Sequence, residues 1–128
     1  MVIALDYGEK KTGFAYSDET ENFAFAGQLI TGYKNTESLL TTLDNLVVKH
    51  SPSAIVIGDP TYKGENRNMV SIKRIVDHYV EQGVKTVLIN EFYTSEIAKV
   101  NLKEIKNKNI DSESARQILQ EYLDTLKS

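Results

Sequence analysis

The 128-residue chain predicts an α/β fold: a five-stranded mixed sheet, an antiparallel three-strand meander plus two parallel strands, with helices on both faces. Three observations carry this. Apolar runs at 2–5, 14–16 and 22–30 follow one another with only turn residues between them, which makes sequential antiparallel strands. Two more short apolar runs, at 54–57 and 85–89, are each preceded by a segment with apolar residues at helical spacing. A helix-length connection returns the chain in the same direction, so these two strands run parallel to the first, which sits centrally.

Val2 to Leu5 has the composition of a fully buried strand and ends on Asp6, Tyr7 and Gly8. Gly8 and Gly13 bracket a polar turn, after which Phe14, Ala15 and Tyr16 form the second arm of a hairpin. Asn22 to Ile30, with Phe23, Ala24, Phe25, Ala26, Leu29 and Ile30, reads as the third strand. Thr36 or Asn35 caps a helix from Glu37 to Lys49, with Leu39, Leu40, Leu43, Leu46 and Val47 on one face, and Ser51-Pro52-Ser53 stops it. The strand Ala54 to Ile57 ends at Gly58-Asp59-Pro60, before a polar loop over Thr61 to Asn68. A second helix from Arg67 to Gln82 buries Val70, Ile72, Ile75, Val76, Tyr79 and Val80, and Gly83 ends it. The fifth strand, Lys85 to Ile89, leads into Asn90-Glu91-Phe92. Thr94 or Ser95 caps a helix through Leu102, and the lysine- and asparagine-rich stretch Glu104 to Ile110 reads as mobile. Asp111 then caps a final amphipathic helix whose stripe is Ala115, Ile118, Leu119, Tyr122, Leu123 and Leu126.

The length predicts one domain over residues 1–128, with a real core but without a second lobe to close on a ligand. The absence of cysteine removes disulfides, thiolate zinc sites and cysteine nucleophiles together and fits a reducing cytoplasm. No apolar stretch reaches the length of a membrane span, and the chain enters its first strand without a basic region and cleavage site, so a cytoplasmic protein with no membrane partner is expected. A net charge of −3 argues against nucleic-acid binding by bulk charge, so such binding must be local. Lys99, Lys103, Lys106 and Lys108 form one basic run, for which a solvated helix face is the commoner meaning.

Parallel strands share an edge at their carboxyl ends, which gathers Asp6, Asp59 and Glu91 at one rim, with Asp111 able to join from the side. Carboxylates held together repel unless a cation lies between them, and hard oxygen ligands select Mg2+ or Mn2+. The chemistry this suggests is metal-assisted phosphodiester hydrolysis, in which two ions about 4 Å apart need carboxylates and no residue nucleophile. A plain reading stands beside it: Asp at a strand end is a common turn former, and Asp111 alone would be an ordinary helix cap. Lys10, Lys11 and Thr12 either steer a phosphodiester backbone toward the rim or form a solvated turn. Tyr7, Tyr62 and Tyr93 could stack bases, although packing is the commoner role, and His50 and His78 receive no catalytic role.

The segments A-L-D-Y-G-E-K-K-T-G-F-A-Y-S-D, I-V-I-G-D-P, L-I-N-E-F-Y-T-S-E-I-A and I-D-S-E-S-A-R-Q-I-L-Q-E-Y-L-D resemble, in order and spacing, the four conserved blocks of the YqgF (RuvX) family. The resemblance implies an RNase H-like fold and a Holliday-junction-resolvase-like nuclease, with a role in maturing the 5′ end of precursor 16S ribosomal RNA. It implies that Asp6, Glu91 and Asp111 form the catalytic, metal-holding triad. It also implies a nucleic-acid partner, either structured RNA or branched DNA, and leaves open a homodimer. Asn90 and Phe92 depart from the family's Asp-Glu-Arg, and loss of the Arg removes a bidentate phosphate contact. Asp59 stands where the family has Leu and reads as a turn residue before Pro60, with a fourth metal ligand as the alternative. Lys106 and Lys108 join Lys10, Lys11 and Thr12 as candidate substrate contacts. Two rivals remain: a non-catalytic nucleic-acid-binding module of the same fold, and an ATP-binding phosphotransferase-like domain, whose phosphate hairpin also reads Asp-x-Gly.

Overall fold

In the computed structural model the described residues are 1–59, 68–90 and 110–126, the side chains at 59, 90 and 110–112 not among them. Strands β1 (Val2–Asp6), β2 (Lys11–Ser17) and β3 (Ala24–Thr31) are followed by α1 (Thr36–His50), β4 (Ala54–Asp59), α2 (Met69–Glu81), β5 (Lys85–Asn90) and α3 (Ile110–Thr125). The strands form a sheet in the order β3-β2-β1-β4-β5. β1 pairs antiparallel with β2 and β2 with β3, whereas β1 with β4 and β4 with β5 are parallel, so the mixed sheet is the one expected.

Alternation along the strands divides the core in two. Ile3, Leu5, Phe14, Ile30, Ile55 and Ile57 pack against Leu39, Leu40 and Leu43 of α1 and Ile72, Ile75 and Tyr79 of α2. On the opposite face Val2, Ala4, Ala15, Ala24, Ala54 and Val56 meet Ala115, Ile118, Leu119, Tyr122 and Leu123 of α3. The strand residues on that side are small, which lets α3 lie close across the first four strands.

Helix α1 starts at a capping box in which Asn35 accepts from the Ser38 amide, and it ends at Ser51 in the left-handed region, φ 45°. Arg74 of α2 donates to both oxygens of Glu37 at 2.9 and 3.1 Å, an exposed pair that contributes little. Deeper between the helices, the fully buried Tyr79 donates its hydroxyl to Asp44 at 2.9 Å. Burial first, then that hydrogen bond and the Asp44 charge, push the phenol well above its ordinary pKa.

β3 carries a bulge. Gly13 pairs with Leu29 and Ala15 with Ala26, so Gly27 and Gln28 together oppose Phe14. The extra residue reverses the strand's alternation, which is why Ala24 packs under α3 while Ile30, six positions on, joins the other core. Gly27 is required there, since a Cβ would stand 2.4 Å from Cδ1 of Phe14. At the start of β3, Gln120 of α3 accepts from the Ala24 amide at 2.9 Å and donates to the Asn22 carbonyl at 3.1 Å, taking the place of a neighbouring strand.

Several expectations are corrected. Val70 and Val80, expected in the core, are 78% and 55% exposed because they lie off the Ile72–Ile75–Tyr79 stripe. Leu126 is likewise exposed, one residue past the end of α3. Asp111, expected to cap α3, is its second residue. The helix expected from Thr94 and the stretch 104–109 lie outside the described residues.

Candidate active site at the carboxyl ends of the parallel strands

Leu5 lies beside Ile57, Gly58 beside Ile89 and Asp59 beside Asn90, so the last residues of β1, β4 and β5 come to one rim of the sheet. Asp6 closes β1, paired with Gly13 of β2 and partly buried. It has the parity of Val2 and Ala4, which face α3, and α3 packs against β1 with Asp111 in its first turn. Position 59 has the parity of Ile55 and Ile57, the residues of the other face. Asp6 and the start of α3 therefore belong to one side of the sheet.

Of the other residues singled out, Glu91, Lys106 and Lys108 lie outside the described residues, as does the side chain of Asp111. Lys10 and Lys11 are exposed on the hairpin that follows Asp6. Thr12 is fully buried, and its hydroxyl is 2.8 Å from the Tyr33 hydroxyl, so it acts within the protein. The turn is tight: a Cβ on Gly8 would stand 2.3 Å from the Lys11 carbonyl oxygen, which only glycine permits. Tyr33 donates to the Gly8 carbonyl at 2.5 Å. Tyr33 had no sequence signal, because the contact joins residues 25 positions apart.

Near the start of α3, Glu113 accepts from Arg116 at 2.7 and 3.1 Å and from Gln117 at 3.2 Å, so its charge is compensated along the helix. Asp18 belongs to the opposite end of the sheet, after β2. There the Thr20 hydroxyl, and then the Phe23 and Asn22 amides, hold its carboxyl below the ordinary value. His50 stacks on Tyr16 at 5.7 Å between centroids and meets Phe14 at a tilt at 5.6 Å, and burial, then the Lys49 charge, lowers its pKa. Both groups stand apart from the rim. Among the described residues no three His, Cys, Asp or Glu side chains converge as a metal centre, and of the proposed ligand set only Asp6 has a described side chain.

A five-stranded mixed sheet in this order, with helices on both faces, is the RNase H-like fold. Solved structures of similar fold include the Thermus thermophilus resolvase RuvC in complex with a Holliday junction substrate, with TM-score 0.69 and 12% identity over 99% of this chain and 96% of that one. A Fowlpox virus resolvase bound to Holliday junction DNA gives TM-score 0.66 and 14% identity, covering 99% of both chains. Residues 1–125 match the family model RuvX, described as Holliday junction resolvase, and the chain belongs to that family of hydrolases. A relative from Sulfurihydrogenibium, named as a proposed pre-16S rRNA nuclease, is 34% identical over 98% of this chain and 90% of its own. One from Lawsonia intracellularis with the same name is 31% identical, over 98% and 94%.

Proposed function

We propose that the protein is a metal-dependent endonuclease of structured nucleic acid, with precursor 16S ribosomal RNA as its substrate and branched DNA as the alternative. One observation carries the reading: Asp6 ends the central strand on the face covered by α3, whose first turn holds Asp111. Asp6, Glu91 and Asp111 would together hold Mg2+ or Mn2+, and their all-oxygen, anionic character fits such an ion. When bound, the metal supplies a water nucleophile at neutral pH and charge stabilisation at the phosphate.

The chain's own residues supply the rest. Asp6 sits on rigid strand backbone, so its carboxylate is set in place before substrate arrives. Lys10 and Lys11, exposed on the same hairpin, attract the phosphodiester backbone toward the rim. Lys106 and Lys108 extend that attraction, which must be local because the net charge is −3. RNA processing of this kind places the protein in the cytoplasm, and a homodimer is the assembly that would present two sites to a four-way junction.

The names of the relatives favour RNA and the solved neighbours favour junction DNA. Cleavage of labelled precursor rRNA and of a four-way DNA junction, with Mg2+ or Mn2+, decides between them. Wild type cuts one and Asp6→Asn cuts neither. If neither protein cuts while both bind equally, the chain is a binding module and the nuclease reading is wrong.

A further inference from the structure

We propose that Tyr33 is a positioning residue for the nuclease site, a staple that holds the hairpin after Asp6 at its working geometry; this rests on the nuclease reading above. Tyr33 follows β3 by two residues, where Gly32 turns the chain at φ 82°. Its hydroxyl reaches the Gly8 carbonyl at 2.5 Å and Thr12 Oγ1 at 2.8 Å. A carbonyl can only accept, so the phenol proton goes to Gly8 and the Thr12 hydroxyl donates to the phenol oxygen. One side chain thus ties Gly8, before the turn, to Thr12, the second residue of β2; Lys10 lies in the turn between them and Lys11 opens β2.

The turn is closed from within by Gly8, which leaves no room for a Cβ, and from outside by Tyr33. Thr12 is fully buried, so no water competes for its hydroxyl. Asp6 is two residues before Gly8 and pairs directly with Gly13, one residue after Thr12. Loosening the turn therefore moves Lys10 relative to the carboxylate, and loosens Lys11 at the start of β2, while leaving β1 and its core contacts in place. Misplacement by about 1 Å costs on the order of 100-fold in rate, although every group is still present.

The test compares Tyr33→Phe, Thr12→Val and Thr12→Ser with wild type. Amide hydrogen exchange is the first readout: Tyr33→Phe and Thr12→Val speed exchange at residues 9–11, and Thr12→Ser, which keeps the hydroxyl, restores the wild-type pattern. Unchanged exchange in Tyr33→Phe overturns the staple. Kinetics on the substrate that wild type cuts is the second: kcat/KM falls at least about tenfold in Tyr33→Phe and Thr12→Val, and Thr12→Ser keeps the wild-type value, at a temperature where every variant is fully folded. An unchanged kcat/KM, or a loss matched by Thr12→Ser, overturns the positioning role. A wild-type protein that cuts neither rRNA nor junction overturns the nuclease reading and this catalytic role with it, while exchange still decides whether Tyr33 holds the hairpin.

Discussion

Replacing Gly8 by Ala puts a methyl group where the Lys11 carbonyl oxygen is 2.3 Å away. An ordinary carbon–oxygen contact is about 1 Å longer, and the obstacle is backbone, so no rotamer change relieves it. The turn must open, and opening it stretches the 2.5 Å bond from Tyr33 to the Gly8 carbonyl. Overpacking of this kind costs about 1–3 kcal/mol, and the weakened hydrogen bond adds about 1 kcal/mol. A chain of 128 residues loses about 4 °C in Tm per kcal/mol, so Gly8→Ala should melt about 8–16 °C below wild type. Calorimetry measures this directly, with Gly83→Ala as control. Gly83 has φ 79° but nothing within 4 Å of a Cβ, so that change costs only about 1 kcal/mol of backbone strain and leaves cleavage unaffected. A Gly8→Ala protein melting within about 2 °C of wild type would refute the steric account of the hairpin.

Two further predictions concern the helical face. Asp44→Ala strands the buried Tyr79 hydroxyl and should cost about 1–3 kcal/mol in urea unfolding, whereas Tyr79→Phe removes the donor itself and should cost about 1 kcal/mol; the reverse order would contradict the assigned bond. His50 has a lowered pKa in the folded protein, caused first by burial and then by Lys49, so the unfolded chain binds its proton more readily. Stability is therefore full above the ordinary histidine value of 6.5 and falls as pH drops below it; His50→Phe, which keeps the ring contacts, should flatten that limb of an unfolding-against-pH curve.

The fold was legible because it depends on periodicity and on connection length, both local. The runs at 2–5 and 54–57 had to be central strands, and helix-length connections forced β4 and β5 parallel to β1. That topology placed Asp6, Asp59 and Glu91 at one rim without any tertiary contact being known; the strand register brings Asp6 and position 59 there, and Glu91 lies outside the described residues. Reading failed where a stripe ends. Val70 and Val80 have the same composition as Ile72 and Ile75, and only the exact phase of α2 against the sheet puts them in solvent. The bulge at Gly27 was also hidden, because what demands a glycine there is the Phe14 ring on another strand. In the site, Thr12 read as an outward polar residue of a lysine-rich turn, yet it is the second residue of β2, with the parity of Phe14, and turns inward to meet the Tyr33 hydroxyl. A hydrogen bond across the sheet leaves no pattern in a single sequence.

Side-by-side cleavage rates of Asp6→Asn and Asp59→Asn, on the substrate wild type cuts and at matched folded fraction, test the central claim most directly. Asp6 shares the face of α3 and position 59 has the opposite parity. Asp6→Asn should lower the rate at least about 100-fold, and Asp59→Asn should stay within about threefold of wild type. An Asp6→Asn protein that cuts at the wild-type rate, or an Asp59→Asn protein as impaired as Asp6→Asn, would contradict the account of the site.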